Sequence, residues 1–434
     1  MTYSHLRVRK SCAHLMINLN NYICALDIGS SKIAASVAVF RKGRIERIFF
    51  DSVVSKGVKD GVIVDSIEAV NSITKLIKSL RSKSGINVKY VYTNISGHDI
   101  ITKHSRAIIP LAERGNKVIS VYDVQRVNEQ ARILGSSLES EIIQMVPSGY
   151  TIDSQANVMN PVGLYSHKLE VDLYLVCGKL SSIQSLSRAV HQSGCEIRKV
   201  FFSGLATSRV VFDNELKKGV NLFFDIGSCT TEILVFKDGF LSDIEILPVG
   251  GDDMTSALEK ELKIPFELAE DIKRSHGLII DPDRIEDGKE ILVKKNNLYT
   301  SIKQKVVAEI ISRQARLVCS RIKDAVANKV QFYEVNNAVV VGRTVLLEGF
   351  IEVMENTLTV PVRLGRINNS KILSLVKEDD SIAVRKYLTY LTCLGIICEL
   401  LQEDISVSPP AAKPARNLLL KAVNRFKEVY QEYF

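Results

Sequence analysis

Two stretches of the chain share one pattern of apolar and polar positions. Apolar runs at residues 222–224 and 233–236 predict two buried strands, and the small polar residues between them predict a tight turn. Residues 22–40 have the same layout: an apolar strand, the turn Asp-Ile-Gly-Ser-Ser, and a second apolar strand. A single hairpin of this kind is ordinary, but two copies about 200 residues apart predict two related halves.

Each turn carries the groups of a phosphate site. Gly29 and Gly227 let the backbone approach a ligand closely, and successive main-chain N–H groups in such a turn form an anion cradle. Asp27 and Asp225 end the preceding strands, and Mg²⁺ favours a carboxylate together with water. For either copy alone, an ordinary hairpin with a small-residue turn is the alternative interpretation.

Paired hairpins of this type resemble the superfamily of actin, sugar kinases and seventy-kilodalton chaperones. The resemblance implies an α/β, actin-like two-lobed fold of duplicated ribonuclease H-like domains, with ATP and Mg²⁺ held in the cleft. Asp27 and Asp225 would hold Mg²⁺ through water. The implied phosphate-binding residues are Asp27, Gly29, Ser30, Ser31 and Lys32 in the first loop and Asp225, Gly227, Ser228, Thr230 and Thr231 in the second.

The segments at 56–65, 94–97, 145–153 and 160–172 narrow the resemblance to the FtsA family of bacterial division proteins. In that family an inserted subdomain, 1C, contacts the neighbouring subunit of a filament. The implied organisation is a disordered arm at 1–20, lobe 1 at 21–100, subdomain 1C at 101–180, lobe 1 again at 181–220, lobe 2 at 221–255, subdomain 2B at 256–305, lobe 2 again at 306–366, a return to lobe 1 at 367–402, a flexible linker at 403–415 and an amphipathic helix at 416–434. A start at Met16 is the alternative to a disordered arm.

A helix predicted from residue 265 and stopped by Gly277 carries Glu270 and Lys273 on one face, because they are three positions apart. That spacing fits either a surface ion pair or hydrogen bonds to ribose. The family's Gly-Gly-Asp and Ala-Glu-x-x-Lys patterns favour ribose and adenine contacts. The residues assigned in this way are Gly250, Gly251, Asp252, Glu270 and Lys273. Another long amphipathic helix is predicted from about residue 300 to residue 329.

The adenosine loop of the family departs from its usual form in this chain. Gly342 is present, but Arg343 stands where a further glycine is expected. Since glycine lets the backbone pass close to the base, the arginine either crowds the nucleotide or contacts it, at a phosphate or on the face of the base. The second phosphate loop also departs, with Ser228 and Cys229 in place of glycines and Glu232 in place of aspartate.

Composition adds three limits. The 434 residues suffice for two or more domains, and no apolar run approaches the ~20 residues that span a bilayer. The eight cysteines lack metal-site spacing and are expected to be reduced core thiols. The net charge of +8 is concentrated at the ends, since residues 1–20 hold three basic and no acidic side chains and residues 411–434 hold five and two. This distribution argues against a nucleic-acid partner.

The last residues predict a helix that lies on a membrane. After a Pro/Ala-rich linker, the apolar side chains fall on one side of a helical wheel and basic ones lie outside that stripe. Such a helix suits the headgroup layer of an anionic membrane, although docking on its own domain is the alternative. The predicted membrane residues are Leu418, Leu419, Val423, Phe426, Val429, Tyr430, Tyr433 and Phe434, with Lys421 and Arg425 beside the headgroups. The FtsA family ends in the same way.

The leading hypothesis is an FtsA-like cytoskeletal protein on the cytoplasmic face of the membrane at the division site. Its expected partners are the C-terminal tail of FtsZ at subdomain 2B, further copies of itself in a head-to-tail filament, an anionic membrane and other division proteins. No catalytic triad is visible, so at most a slow ATPase is expected. A pilus-assembly scaffold of the PilM type and a small-molecule kinase of the same superfamily are the alternatives.

Overall fold

The computed structural model describes residues 21–41, 44–112, 115–153, 155–212, 218–281, 284–285, 288–295, 298–377 and 386–406. The strands are β1 Tyr22–Ile28, β2 Lys32–Arg41, β3 Arg44–Val54, β4 Val58–Lys59, β5 Val62–Ile63, β6 Tyr90–Ile95, β7 Ile100–Pro110, β8 Lys117–Val118, β9 Ser140–Ile152, β10 Gln155–Val158, β11 Tyr165–Ser166, β12 Lys168–Lys179, β13 Glu196–Phe202, β14 Val220–Ile226, β15 Thr231–Lys237, β16 Phe240–Leu247, β17 Glu290–Lys295, β18 Leu298–Lys303, β19 Val335–Val341 and β20 Val362–Leu364. The helices are α1 Ser66–Ser84, α2 Val121–Leu134, α3 Leu180–Gln192, α4 Ser203–Val211, α5 Gly251–Leu262, α6 Phe266–His276, α7 Gln304–Ala327, α8 Phe350–Leu358, α9 Ser370–Lys377 and α10 Leu391–Ser406.

Two five-stranded sheets carry the two lobes, and they share one topology. The first has the order β13-β6-β1-β2-β3 and the second the order β16-β15-β14-β19-β20. In both, a hairpin with antiparallel strands (β1–β2, β14–β15) is flanked on one side by a third antiparallel strand and on the other by two parallel strands. The two halves predicted from the repeated pattern are therefore confirmed as a duplicated α/β unit.

Helices cover the sheets on both sides. Helices α1 and α3 pack on one face of the first sheet, and α5, α7 and α8 pack on one face of the second. Helices α4 and α10 lie in the core that joins the lobes, where a Cβ atom on Gly395 would come within 1.9 Å of the Ala206 carbonyl oxygen. Only glycine allows the two helices to approach this closely.

A separate sheet, with the order β10-β9-β12-β7, lies between β6 and α3 in the chain. Helix α2 packs on it and closes a core of its own around Val127 and Leu173. This unit touches both lobes. The Phe202 N–H donates to Gln144 Oε1 (2.7 Å), and the Ile244 N–H donates to the Tyr174 hydroxyl (2.9 Å).

Two predicted boundaries differ from the structure. The long helix begins at Gln304, because Thr300 pairs with Val293 in the β17–β18 hairpin; the apolar spacing of residues 298–303 fits either a strand or a helix. Helix α10 continues to Ser406, so the first residues of the predicted linker, 403–406, are helical. The predicted arm at 1–20 and most of the predicted linker and terminal helix lie outside the described residues.

Candidate functional site

The first loop joins β1 to β2. Its turn is closed by the Gly29 N–H, which donates to the Lys32 carbonyl oxygen at 3.0 Å. Lys32 Nζ then donates to Asp27 Oδ2 and to the Thr389 carbonyl oxygen, each at 2.6 Å. The carboxylate at the end of β1 thus has a cation in direct contact.

Asn94 supports this carboxylate from the neighbouring strand. Strand β6 runs parallel to β1 and pairs Thr93 with Leu26, which brings Asn94 beside Asp27. Asn94 Nδ2 donates to Asp27 Oδ1 at 2.7 Å, and Asn94 Oδ1 accepts from the Ile28 N–H at 2.7 Å. Both the oxygen and the nitrogen of this buried amide are therefore hydrogen-bonded. These bonds fix the position of Asp27 and of the Ile28 backbone at the start of loop 1.

The second loop joins β14 to β15 with the same turn geometry. The Gly227 N–H donates to the Thr230 carbonyl oxygen at 2.9 Å. The Gly227 carbonyl accepts from Thr344 Oγ1 at 2.7 Å and from the Gly251 N–H at 3.0 Å. Loop 2 is therefore tied to the segments that follow β16 and β19, both within its own lobe.

Two carboxyl groups face each other beneath loop 2. Asp225 pairs with Glu232 across the hairpin, so both side chains lie on the same face of the sheet. Burial, with the charge of Asp27 adding to it, raises the pKa of Asp225 to about 6. Burial and the charge of Asp225 raise the pKa of Glu232 well above its ordinary value. On this side of the cleft the protein therefore disfavours the ionised form of both carboxyl groups.

Helices α5 and α6 supply the polar groups at the far end. Lys273 is 6% exposed, and its Nζ donates to the Gly251 carbonyl oxygen (2.9 Å) and to Thr255 Oγ1 (2.7 Å). Glu270 Oε2 lies 2.6 Å from the same Nζ and accepts from Thr255 Oγ1. The ion pair predicted for Glu270 and Lys273 is therefore present. Both residues also line the cavity, and their binding to ribose remains a prediction.

Gly342 and Arg343 follow β19. Gly342 has φ +96°, and a Cβ atom there would come within 2.2 Å of the Ile226 carbonyl oxygen, so glycine is required. Arg343 crosses the cleft, and its guanidinium Nη2 donates to Ser31 Oγ of loop 1. Burial lowers the pKa of Arg343 from its ordinary value, with the charge of Arg274 acting in the same direction. A guanidinium nevertheless keeps its proton at neutral pH.

The two loops, α6 and the β19 loop enclose a cavity of about 310 Å³, within the range of small-molecule sites. The predicted site residues that line it are Asp27, Gly29, Ser30, Ser31, Lys32, Asp225, Gly227, Ser228, Thr230, Gly251, Glu270, Lys273, Gly342 and Arg343. Three others do not line it. The Thr231 side chain is fully buried and donates to the Val249 carbonyl oxygen (2.8 Å), and neither Gly250 nor Asp252 is among the lining residues.

Sequence reasoning missed several lining residues, among them Asn94, Ser203, Thr207 and Arg274. Asn94 lies one residue before the end of its strand, as Asp27 does, but these two hydrogen-bonded residues are 67 positions apart in the sequence. Cys229 also lines the cavity and is partly exposed, whereas the other six described cysteines are buried. Burial raises the pKa of the Cys229 thiol to about 11, so it is protonated at neutral pH.

The donor set fits a magnesium ion held partly through water. Asp27 and Asp225 come from opposite lobes and influence each other electrostatically; burial and the charge of Asp27 raise the pKa of Asp225, so a cation bound there would stabilise its ionised form. Within the described ranges, no group of three or more His, Cys, Asp or Glu side chains forms a cage for a metal. A cation that contacts one or two carboxylates and keeps its water suits this arrangement.

The predicted membrane residues, from Leu418 to Phe434, lie outside the described residues. Within the part of the chain that the structure describes, no helix combines the length and the apolar content needed to span a bilayer.

Two lobes of one topology, each presenting a hairpin loop to a shared cleft, define an actin-like protein. A solved chain of the PilM–PilN type IV pilus biogenesis complex has this fold: it aligns with a TM-score of 0.59 over 89% of this chain and 99% of its own length, at 14% identity. At that identity the likeness shows the fold alone. The pilus-scaffold alternative gains no further support from it.

Sequence comparison shows to which family of actin-like proteins the chain belongs. A family model for cell division protein FtsA matches residues 222–408, and a model for the SHS2 domain inserted in FtsA matches residues 97–177. FtsA of Borreliella burgdorferi is 27% identical over 351 residues, covering 80% of this chain and 84% of that protein. FtsA of Neisseria meningitidis serogroup B is 24% identical over 383 residues, covering 87% and 91%. The chain belongs to the FtsA family of cell division proteins, and the sheet between β6 and α3 lies in its inserted SHS2 domain.

Proposed function

We propose that this protein binds ATP with Mg²⁺ between its lobes, assembles head to tail, and tethers FtsZ to the cytoplasmic face of the membrane at the division site. The observation that carries the nucleotide part is the meeting of two duplicated loops across one cavity of about 310 Å³. Membership of the FtsA family supports the role in division.

Each loop would hold phosphate through its backbone. The residues that follow Gly29 and Gly227 in the two turns line the cavity, where their backbone N–H groups would be donors for anionic oxygens. Lys32 adds a positive charge beside loop 1, although it is shared with Asp27. A polyphosphate would thus be bound by loops from both lobes. Ligand binding would therefore depend on the position of one lobe relative to the other.

Asp27 and Asp225 would hold the magnesium ion. Bound there, the ion supplies positive charge that offsets both the phosphate oxygens and the two carboxylates. Asn94 and Lys32 keep Asp27 in place, and Asp225 lines the same cavity from the other lobe.

Glu270 and Lys273 would contact the ribose or base, because they line the far end of the cavity. Gly250 and Asp252 would act indirectly, since the Gly250 N–H donates to Asp253 and the Asp252 N–H donates to the Ser228 carbonyl oxygen. Thr231 would act in the same indirect way through Val249. These three residues position loop 2 and the start of α5.

Hydrolysis is at most slow in this proposal, and nucleotide acts mainly by shifting populations between assembly states. Subdomain 2B, at about residues 256–305, would receive the FtsZ tail, and the inserted domain would contact the next copy in a filament. Other division proteins would join the same assembly.

A vesicle flotation assay tests the membrane part. The full-length protein should float with vesicles that contain phosphatidylglycerol and bring purified FtsZ with it, whereas a chain ending at Ser408 should remain below while still binding FtsZ. A double variant, Phe426→Ser with Tyr430→Ser, should float poorly because the apolar stripe is interrupted. Asn424→Ser, outside the stripe, is the matched control and should float normally.

Two results would contradict this part of the proposal. If the chain ending at Ser408 floats as well as the full-length protein, the terminal segment is not the anchor. If the full-length protein floats but never brings FtsZ, the tether role is wrong.

A further inference from the structure

The Arg343 side chain crosses the cleft from one lobe to the other. It follows Gly342 at the end of β19 in lobe 2, and its guanidinium reaches Ser31 in loop 1 of the other lobe. Ser31 is also held at its carbonyl oxygen, which accepts from the Ser55 N–H. The contact therefore ties the β19 loop to a turn whose backbone is already anchored in lobe 1.

The charges around Arg343 leave its guanidinium available to an anion. Glu270 and Asp27 lie within electrostatic reach, but Lys273 pairs with the first and Lys32 with the second. Among the described residues, no carboxylate forms an ion pair with Arg343. Arg274 lines the same cavity and adds a second positive charge nearby. A desolvated guanidinium next to another cation is stabilised by any anion that enters between the loops.

We propose that Arg343 is a latch: it holds loop 1 through Ser31 when the cleft is empty and transfers to the polyphosphate when nucleotide binds. The transfer step rests on the proposed nucleotide function, and the latch itself does not. The planar fork of the guanidinium suits both roles, since it can bond one hydroxyl or two phosphate oxygens. Arg343 thus makes the cleft respond to the phosphates of the ligand more than to its base.

Hydrogen exchange of the ligand-free protein tests the latch. In Arg343→Ala the amides of residues 29–33 should exchange roughly tenfold faster, the change expected when one hydrogen bond to a charged group is lost. Ser31→Ala should give a similar increase, and the double variant should go no further, because both substitutions remove one contact. Arg366→Ala, at an exposed loop residue outside the cavity, is the matched control. Unchanged exchange in Arg343→Ala, or increases that multiply in the double variant, would overturn the latch.

Ligand titrations test the transfer. Arg343→Ala should bind ADP and pyrophosphate roughly tenfold more weakly than the wild type, while adenosine should bind within about twofold, because only the phosphates lose a charged partner. Equal losses for adenosine and ADP would place the guanidinium on the base and overturn the transfer. If Arg343→Ala binds ADP as tightly as the wild type or more tightly, Arg343 only obstructs the site, and this result would also overturn the transfer. If the wild type binds none of these ligands, the proposed nucleotide function fails, and the exchange measurement still decides the latch.

Discussion

The two hairpin loops have the same backbone and opposite electrostatic situations. In loop 1, Asp27 has Lys32 in direct contact, Asn94 on the adjacent parallel strand and Ala34 across the hairpin. In loop 2 the corresponding carboxylate, Asp225, has Thr230 in the turn, Val341 on the adjacent parallel strand and Glu232 across the hairpin.

The register explains how this difference arises. Lys32 and Thr230 close equivalent turns with their carbonyl oxygens, so only the side chain has changed between the copies. Lys32 and Asn94 both donate to the carboxylate of Asp27, whereas burial, with the charge of Asp27 adding to it, raises the pKa of Asp225. The duplicated fold thus provides one loop whose carboxylate has a lysine partner and one whose carboxylate would, in our proposal, be paired with a magnesium ion.

The largest loss of stability is expected for Asp27→Asn. Because Lys32 would lose its carboxylate in a site where it is only 16% exposed, the free energy of unfolding should fall by about 3 kcal/mol. Denaturant titration of the ligand-free protein measures this change. The double variant Asp27→Asn with Lys32→Met should recover part of the loss, and full stability of the single variant would show that the pair is not structural.

A slightly smaller loss is expected for Asn94→Val, which gives loop 1 the residue type found at Val341 in the second half. The Ile28 N–H and Asp27 Oδ1 would both lose a buried partner, so stability should fall by about 2 kcal/mol. Thermal unfolding of the wild type and of Asn94→Val measures this loss of stability. A neutral result would mean that the strand next to loop 1 tolerates an apolar residue as the second half does.

Asp225→Asn is expected to raise the free energy of unfolding, whereas Asp27→Asn and Asn94→Val are expected to lower it. The folded pKa of about 6 lies above the ordinary 3.8, so ionisation of Asp225 destabilises the folded state, and stability should fall as pH rises from about 4 to 6. Asp225→Asn should remove that slope and stabilise the ligand-free protein by about 1–2 kcal/mol at pH 7. Denaturant midpoints at pH 4, 5, 6 and 7 measure both effects, and a destabilised variant at pH 7 would contradict the comparison.

The smallest effect is expected for Thr344→Val. Its hydroxyl donates to the Gly227 carbonyl oxygen, which keeps a second donor in the Gly251 N–H, so the loss should be about 1 kcal/mol. Hydrogen exchange at residues 227–230 should rise while exchange at residues 29–32 stays as in the wild type. An equal rise in both loops would mean that the loops do not open separately.

The repeated pattern was sufficient to predict two related halves, and the resemblance carried by the paired hairpins implied the actin-like fold. The loop residues were predictable for the same reason, with one exception. Thr231 and Glu232 point to opposite faces of β15, and strand alternation would have placed Glu232 toward the cleft and Thr231 away from it.

Other site residues depended on distant pairing. Asn94 meets Asp27 only through the parallel register of β6 on β1, and Arg274 lines the cavity because α6 packs against α5. The start of α7 was misplaced because the short β17–β18 hairpin has apolar spacing that also fits a helix. Local sequence does not encode these contacts, whereas it does encode the duplicated hairpins.

Calorimetric titration of full-length protein with ATP, with Mg²⁺ and with Mg²⁺ removed by chelator, tests the central claim most directly. We expect one nucleotide per chain, binding that depends on Mg²⁺, and a loss of at least about thirtyfold in Mg-ATP affinity for Asp225→Asn despite its greater stability. Equal affinity with and without Mg²⁺, or an Asp225→Asn variant that binds Mg-ATP as the wild type does, would contradict it.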